Sequence, residues 1–315
     1  MNLGALTEQI YKVLYEKNSV QRQVAKRFLF PLLEPLGLHI VGDHFYEPIP
    51  NLRKLEKSYE GNARRSLPQV QVNFFEAETN HASRLAQYGG EFHKEADRFG
   101  FFIEGNLTFP VVDAVSLYCF LREKKVLRVI EVGQGFSTRV LLAALTKNGR
   151  ELSNKAELIS IDPYNRLLTE FLDSEVVDVE FIQQPVQSLD AQELVSHITG
   201  TTLVFVDSSH VFKTGSDVEY LMKEVYTRIP CNTYVHIHDI YTPYPWPREY
   251  YLKRKHFWDE QDHLENFLSF NDYFRVELPL FWLLKDSQKV NEQLDILDIK
   301  RDSLNGASFY IKRIR

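Results

Sequence analysis

One stretch of the sequence decides the fold: Leu127-Arg-Val-Ile-Glu-Val-Gly-Gln-Gly-Phe-Ser-Thr-Arg-Val-Leu-Leu-Ala-Ala-Leu145. Its first part, with the preceding Val126, is a short apolar and β-branched run, which predicts a strand buried on both faces. Gly133 and Gly135 follow directly, and apolar residues then recur at helical spacing from Val140. The strand should therefore turn sharply into a helix. A ligand can approach such a glycine turn closely, and the positive N-terminus of the helix favours a carboxylate or phosphate.

A second predicted strand, residues 157–162, ends in an acid, Asp162, which suits a bidentate grip on ribose hydroxyls. A dinucleotide-binding loop would carry a third glycine for close packing of the helix. Here Phe136, Ser137 and Thr138 occupy that position. The loop and the acid indicate a nucleotide-type ligand, although a two-glycine loop by itself is a weak signal.

With Glu131 in front of the glycines, the loop resembles the first motif, E-[IV]-G-x-G-x-S-T, of one branch of the class I S-adenosylmethionine (SAM) dependent methyltransferases. This branch is similar to methyltransferase family 24. The resemblance begins at about Asn106, covers roughly the last two thirds of the sequence, and implies SAM as the cofactor, with adenine contacts after the third strand. The residues that it assigns to SAM are Glu131, Gly133, Gly135, Ser137, Thr138, Asp162, Val186, Gln187 and Asp207.

Further strand patterns alternate with helical ones until the last part of the sequence, where the rhythm changes. The additional predicted elements are strands over 177–182, 201–207 and 233–239 and helices over 167–173, 191–198 and 217–228. Residues 273–284 and 307–314 then resemble two strands joined by a polar, loop-like stretch. We therefore predict an α/β fold with a Rossmann-like, seven-stranded methyltransferase sheet flanked by helices. The sheet should be mostly parallel with an antiparallel C-terminal strand pair, and an N-terminal helical cap should precede it.

The region before the glycine loop is predicted to be mainly helical. Residues 52–102 have a helical pattern that is interrupted, among other places, at the Gly89-Gly90 pair. We predict an N-terminal helical cap or lid over residues 1–105 and a SAM-dependent methyltransferase core over residues 106–315.

Composition excludes several classes of protein. Of the 315 residues, 44% are hydrophobic and 13% are aromatic, which is enough for a packed core. The net charge is −6, from 37 basic and 43 acidic residues that are interspersed, so a nucleic-acid partner is not expected. No apolar run is long enough to span a bilayer and no signal peptide is evident, so we expect a cytoplasmic protein without a membrane partner. The expected partner is a small-molecule substrate, and a homo-oligomer is left open.

Two polar clusters follow the predicted fourth and fifth strands: Asp207-Ser-Ser-His210 and His236-Ile-His238-Asp239. Open α/β sheets place their ligands beyond the carboxyl ends of the strands, so these side chains should converge. Several small-molecule O-methyltransferases of the resembled fold bind a divalent ion with an Asp after the fourth strand and an acidic or amide pair after the fifth. Asp207, His238 and Asp239 stand at the matching positions and are the candidate metal ligands.

His238 departs from that pattern, because the resembled enzymes usually carry an oxygen ligand there. A nitrogen ligand would shift the preference from Mg²⁺ toward zinc or a transition metal. The ordinary alternatives also remain open, since a histidine in an apolar strand is often a hydrogen-bonded core residue and an aspartate at a strand end often caps a helix.

Methyl transfer to a hydroxyl requires removal of its proton, because a hydroxyl is too weakly acidic at neutral pH. His210 and His238 are the candidate bases, and either Asp207 or Asp239 could orient the imidazole. Aromatic residues after the fifth strand suit the walls of a site for a sugar or an aromatic substrate. The substrate candidates are His44, Tyr46, Tyr244, Trp246 and Trp258. The segment Phe257-Trp-Asp-Glu-Gln261 matches an F-W-x-E-Q pattern of the resembled branch, and no role is assigned to it.

We predict a SAM-dependent methyltransferase that acts on a hydroxyl oxygen of a small molecule, such as a sugar or another secondary metabolite. The sequence leaves open whether a divalent metal ion assists. Two alternatives remain: a metal-dependent hydroxylase or hydrolase on the same scaffold, using Asp207, His238 and Asp239, and a non-catalytic SAM-binding protein. The intact glycine loop and Asp162 favour SAM over the first, and the histidine clusters favour catalysis over the second.

Overall fold

The strand predicted in front of the glycine loop, β1 (Arg128–Val132), is an inner strand of the sheet, with a parallel neighbour on each side. The structure is a computed structural model that describes residues 25–39, 47–58, 63–100, 108–164, 171–301 and 306–315. The other strands are β2 (Ala156–Ile161), β3 (Val177–Ile182), β4 (Thr202–Val206), β5 (Tyr234–Ile237), β6 (Phe274–Pro279) and β7 (Phe309–Arg313). The seven strands lie in the order β3-β2-β1-β4-β5-β7-β6. Strands β1 to β5 are parallel, and β7 runs antiparallel to β5 and β6, which confirms the predicted fold class.

Helices cover both faces of the sheet. The α-helices are α1 (Phe30–Leu33), α2 (Leu52–Ser58), α3 (Phe74–Phe99), α4 (Val111–Lys124), α5 (Phe136–Leu152), α6 (Ala191–Ser196), α7 (Asp217–Tyr220), α8 (Glu260–Leu268), α9 (Leu280–Asp286) and α10 (Gln288–Ile296). Helix α7 continues as a π-helix over Leu221–Val225, and further π-helices span Ala25–Leu29 and Tyr250–Arg254. None of the helices in the described ranges combines the length and the apolar character that crossing a bilayer requires.

The central strands are buried on both faces, as their apolar sequences predict. Val129 and Leu203 belong to a core that includes residues of α3, α4 and α5. Ile130 and Val204 face the other way, into a core shared with α6, α7 and α8. Neighbouring residues of a strand point to opposite faces, so a continuous apolar run supplies both layers.

By its internal contacts the chain divides into two compact units. One consists of residues 1–61 with 248–257, and the other of residues 62–247 with 258–315. The sheet, the glycine loop and helices α3 to α10 all belong to the second unit. The predicted boundary between residues 105 and 106 lies within residues 101–107, outside the described ranges.

Helix α3 is continuous through Gly89 and Gly90, so the predicted break at this pair was wrong. A Cβ atom at Gly89 would lie 2.3 Å from the Leu297 side chain, which shows that the glycine lets another element pack closely against the helix. Gly89 therefore marks a place of close packing and not a turn that ends the helix.

The connection between the last two strands also differs from the prediction. Strand β6 ends at Pro279, and the predicted strand residues after it form α9 instead. Helix α10 follows and lies within the stretch that was predicted to be a loop. Ser287 caps α10 by accepting a hydrogen bond from the backbone N–H of Val290. A capping serine is a sequence signal for the start of a helix, but the polar composition of the stretch obscured it. Most of the helix predicted over 167–173 lies outside the described residues.

Candidate functional site

Polar residues meet at one edge of the sheet, because the carboxyl ends of β1, β2, β4 and β5 lie level with one another in the register. The residues that directly follow these four strands are Gly133, Asp162, Asp207 and His238. Backbone pairing continues beyond the strands, since the N–H of Asp207 donates to the Val132 carbonyl at 3.0 Å. The fold thus brings together the glycine loop, the acid after β2 and both polar clusters.

Asp162 borders a cleft of about 310 Å³. Two backbone N–H groups hold its carboxylate: that of Gln134 donates to Oδ2 at 2.9 Å and that of Tyr164 to Oδ1 at 2.6 Å. A carboxylate oxygen accepts more than one hydrogen bond, so Asp162 retains capacity for ribose hydroxyls. Val186 and Gln187, predicted to contact adenine, line this same cleft, as do Gly133 and Asp207.

A second cleft, of about 480 Å³, lies beside the first. Its lining residues are Thr108, Phe109, Gln134, Gly135, Phe136, Arg139 and Asp207. Gln134 and Asp207 border both clefts, so one elongated ligand can extend from Asp162 across Gln134 into the second cleft.

The two glycines of the loop have different structural roles. Gly133 has φ = +92°, and a Cβ atom there would lie 1.9 Å from the backbone oxygen of Asp207. Gly135 is extended, with φ = −179°, and its Cβ position has no atom within 4 Å. Only Gly133 is therefore required by the protein's own backbone. The sequence pattern does not distinguish the roles of these two glycines.

Glu131 lies behind the loop and lines neither cleft. Its fully buried carboxyl accepts hydrogen bonds from the hydroxyls of Ser160 (2.6 Å), Thr138 (2.7 Å) and Ser137 (3.4 Å). Burial raises the pKa of Glu131 to about 7, against the effect of these hydroxyls. Glu131, Ser137 and Thr138 were assigned to SAM by resemblance, and the structure places them as supports of the loop.

Replacing Glu131 by Gln should remove a pH dependence from the free energy of unfolding. The carboxyl has a pKa of about 7 in the folded protein and an ordinary value of 4.5. The contribution of this carboxyl to the free energy of unfolding is therefore fully present below pH 4.5. It is lost as the pH rises through about 7, by an amount on the order of 3 kcal/mol. Gln also pairs with hydroxyls, so Glu131→Gln should be more stable than the wild type at pH 8 and should lose that advantage at pH 5.

Urea unfolding of both proteins at the two pH values measures this difference. An equal stability difference at pH 5 and pH 8 would show that Glu131 does not titrate in this range.

Beyond β4 and β5, Asp207, Asp239, His210 and His238 form a ring in which acids and imidazoles alternate; we call it the acid–histidine cluster. His210 Nε2 lies 3.3 Å from Asp207 Oδ1 and 3.5 Å from Asp239 Oδ2. His238 Nδ1 lies 3.6 Å and 3.8 Å from the same two oxygens. His210 and Asp239 have left-handed backbone conformations, with φ = +59° and +57°, which are uncommon for residues other than glycine.

Two further carboxyls flank the cluster, and sequence reasoning assigned neither of them a role. Glu260 Oε2 lies 2.9 Å from His210 Nδ1, on the side of the ring opposite Asp207. Asp113 Oδ1 lies 3.7 Å from His238 Nε2. Glu260 belongs to the F-W-x-E-Q segment, which was a usable signal. Asp113 begins α4, far from both polar clusters in sequence.

Asp113 is fully buried and well supported. It accepts hydrogen bonds from the backbone N–H groups of Gly306 and Ser308, both at 2.9 Å, and from the Ser308 hydroxyl at 2.7 Å. Its position therefore depends on the chain that leads into β7. Burial raises the pKa of Asp113, opposed chiefly by the charge of His238.

The cluster has a surplus of acids and a strong preference for positive charge. Burial alone would lower the pKa of His210, but hydrogen bonds to Asp207 and Glu260 outweigh it and raise that pKa well above its usual value. Burial likewise opposes the charged form of His238, yet the charges of Asp207 and Asp239 raise its pKa to about 9. Either protons on the two imidazoles or a metal ion can supply the positive charge that the acids require.

The residues fit a divalent ion. Asp207, His238 and Asp239 each offer one ligand atom, and these atoms lie within 4.8 Å of one another. Both ring nitrogens of His238 are buried, and neither has a hydrogen-bond partner among the described residues. A buried polar atom without a partner costs free energy, which a metal bond to Nδ1 would offset.

The neighbouring His236 behaves differently, although both imidazoles lie on the same face of β5. Its ring stacks on Phe205 with centroids 4.3 Å apart, and its Nε2 pairs with the Ser308 hydroxyl at 3.0 Å. Burial holds the pKa of His236 well below its usual value, so it is neutral. His236 is a core histidine, and His238 is the one that reaches the cluster.

The predicted substrate residues occupy several places. Trp258 lies against His210, with ring centroids 4.5 Å apart, and the buried Trp246 contacts Trp258 edge-on at 5.0 Å. The Tyr244 hydroxyl instead donates to Asp286 at 2.8 Å. His44 and Tyr46 lie outside the described residues. Trp258 is therefore the predicted aromatic that adjoins the acid–histidine cluster.

Comparison with known proteins gives a match to one family model and similarity to two further proteins. Residues 130–240 match the family model described as "Methyltransferase domain", and the match contains Asp162, Asp207, His238 and Asp239. The chain is 27% identical over 189 residues to an uncharacterized protein of Archaeoglobus fulgidus, covering 56% of this chain and 77% of that protein. It is also similar to the crystal structure of the Podospora anserina methyltransferase PaMTH1 bound to S-adenosylhomocysteine (SAH), with 13% identity, a TM-score of 0.41 and coverage of 78% of this chain and 99% of that chain. The family match confirms the methyltransferase resemblance predicted from the glycine loop.

Proposed function

We propose, from the premise that residues 130–240 form a methyltransferase domain, that this chain transfers a methyl group from SAM to a hydroxyl oxygen of a small molecule. A sugar or another hydroxylated secondary metabolite is the proposed class of acceptor. One observation carries the proposal: Asp207 borders both ligand clefts and is also a member of the acid–histidine cluster. The cofactor clefts and the groups that can move a proton therefore adjoin.

SAM supplies a methyl group that is already activated on a sulfonium, so the protein needs to align the acceptor and remove its proton. Asp162 would bind the ribose hydroxyls, and the glycine loop would lie against the cofactor. Val186 and Gln187 would flank the adenine. Trp258, packed on His210, offers an apolar surface against which the acceptor can lie while water is excluded.

His210 is the proposed base. Its Nδ1 faces Glu260 at 2.9 Å, so Nδ1 carries the proton that donates to this carboxylate, and Nε2 is the atom that accepts the proton of the hydroxyl. A divalent ion held by Asp207, His238 and Asp239 would neutralise the two aspartates and lower the pKa of the acceptor hydroxyl. With the aspartates neutralised in this way, they would no longer hold a proton on Nε2 of His210. Glu260 then stabilises the imidazolium that forms when the proton arrives.

Asp162→Asn and Asp162→Ala test the cofactor assignment. Calorimetry should show that the wild type binds SAM and SAH, and that Asp162→Ala weakens both by about 100-fold or more, because two ribose hydroxyls lose a charged acceptor. Asp162→Asn keeps one acceptor oxygen for the loop, so its affinity for SAM and SAH should lie between those of the wild type and Asp162→Ala. Asp178→Ala, on the exposed edge strand β3, is the matched control and should bind normally.

Binding of a nicotinamide dinucleotide without binding of SAM would leave the fold intact and would refute the proposed function.

A further inference from the structure

We infer that the chain carries a further ligand site, which binds a small apolar molecule through a carboxylate. The site is a cleft of about 440 Å³ that we call the arginine cleft, because Arg64 and Arg65 both line it. Among the described residues, none lines both this cleft and either of the two clefts at the glycine loop. Neither the methyltransferase resemblance nor the proposed methyl transfer assigns it an occupant.

The wall of the arginine cleft is largely apolar. Val70 and Phe309 line it and belong to the core shared with α6, α7 and α8, and Trp282 adds an aromatic ring. Its polar lining residues are the two arginines, Ser66 and Thr242, and no acid lines it in the described part of the chain. Sites for small molecules have this size and combine an apolar lining with a few polar groups that orient the ligand.

Arg65 supplies the observation that points to a ligand. Its backbone N–H donates to the Pro243 carbonyl at 2.9 Å, which holds the residue at the cleft. Its Nη2 donates to Glu265, and its Nη1 lies 3.5 Å from Asp262. The remaining donor, Nε, is buried and has no hydrogen-bond partner among the described residues. A buried donor without a partner costs free energy, so an accepting oxygen on a ligand would offset that cost.

Arg64 supplies a second set of donors. Its Cζ lies 5.5 Å from the centroid of the Trp282 ring, and its Nη1 donates to Asp286 at 2.9 Å. Trp282 Nε1 also donates to Asp286 at 2.9 Å, so one carboxylate holds both the ring and the guanidinium. A guanidinium has five N–H donors. The hydrogen bond of Nη1 to Asp286 therefore leaves donors of Arg64 for a ligand.

The charges favour a ligand with one negative charge. Each arginine has one close acid, Asp286 for Arg64 and Glu265 for Arg65. The more distant Asp262 is largely exposed, so solvent and salt screen its charge. The cleft therefore offers donors without a large surplus of positive charge, which suits a carboxylate better than a dianion such as phosphate. A neutral apolar molecule is the competing occupant.

Calorimetry with 3-phenylpropionate, 1-naphthaleneacetate and decanoate, each beside its primary amide, tests the inference. At least one carboxylate should bind with a Kd of about 100 µM or below, and its uncharged amide should bind at least about 10-fold more weakly. Arg64→Met should weaken the carboxylate by roughly 10-fold and leave the affinity for the amide unchanged. Arg65→Lys keeps a charge for Glu265 but removes Nε, so it should weaken the carboxylate by a similar factor.

Asp286→Asn distinguishes a binding role of Arg64 from a structural one. Asn keeps an acceptor oxygen for Trp282 but removes the charge that competes for Arg64, so the carboxylate should bind up to about 5-fold more tightly. Ser66→Trp places a large side chain at the cleft and should block both the carboxylate and the amide. Arg228→Met removes an exposed arginine that lines none of the three clefts, and this control should change neither affinity.

The outcomes separate this site from its alternatives. Amides that bind as tightly as the carboxylates would show a merely apolar cleft, and a panel in which nothing binds below about 1 mM would show no site. Displacement of the carboxylate by SAH would place it in the clefts at the glycine loop. Each of these three results overturns the inference, and none of them bears on the proposed function, because SAH binding is measured separately. Thermal unfolding shows which variants have folded, and the gain of affinity expected for Asp286→Asn requires a folded protein.

Discussion

Alanine at His238 or Asp239 is expected to weaken the binding of a divalent ion by at least about 100-fold. Each change removes one of three candidate ligands, and even outer-shell changes cost about 10- to 100-fold in metal sites. Neither residue lines the two clefts, so SAH affinity should be retained. Alanine at Asp207 should abolish metal binding too. Titration with Co²⁺, followed by absorption and calorimetry, measures the effect on the protein alone.

His210→Ala is the matched control for these substitutions. His210 lies within 3.5 Å of both aspartates, but it is assigned as the base and not as a ligand, so its variant should still bind Co²⁺. Methyl transfer from labelled SAM to a panel of hydroxylated small molecules should fall on chelation and return when metal is added. If methyl transfer survives exhaustive chelation, or if the wild type binds no Co²⁺, then no metal ion takes part in the reaction. His210 and Glu260 would in that case be the complete deprotonating pair.

The second large effect is expected at the glycine loop. Gly133→Ala should destabilise the fold by about 3 kcal/mol or more and abolish SAH binding. The new Cβ would lie 1.9 Å from a backbone oxygen of Asp207, and the residue has φ = +92°, so backbone rather than a flexible side chain must move. That movement would displace Asp207 from both clefts. Urea unfolding and SAH calorimetry on the same preparations measure the two effects.

Gly135→Ala provides the comparison, because its Cβ position is open and its backbone is extended. Its stability should change by about 1 kcal/mol or less. Any loss of SAH affinity in this variant would then report contact with the ligand in the second cleft. Equal destabilisation by the two substitutions would show that the loop does not have the conformation described for it.

The fold and the position of the site could be predicted from the sequence because both depend on local patterns. Apolar runs of strand length fix β1 and β4, and the residue after each strand must lie at the ligand edge of a parallel sheet. Asp162, Asp207 and His238 were therefore identifiable from the register that the pattern implies.

The residues that sequence reasoning missed act through contacts that no local pattern records. Asp113 and Glu260 approach the cluster from helices, and a single acid near the start of a helix resembles any favourable partner of the helix dipole. The F-W-x-E-Q segment pointed to Glu260 without indicating His210 as its partner. Gly133 and Gly135 also differ in which atoms lie next to the position that a Cβ atom would take, and this is known only once the loop has folded.

The hydrogen bonds of Asp113 join residues that are 195 positions apart, since its carboxylate is held by Ser308 at the entrance to β7. The glycine loop and Asp162, in contrast, are joined across 28 positions. During synthesis, the glycine loop and Asp162 can reach their folded arrangement as soon as β1 to β4 have been made. The acid–histidine cluster also needs His238 and Asp239, which follow β5, and His238 gains its neighbour Asp113 only when β7 is inserted between β5 and β6. A nascent chain should therefore gain the capacity to hold a nucleoside before it can hold an ion.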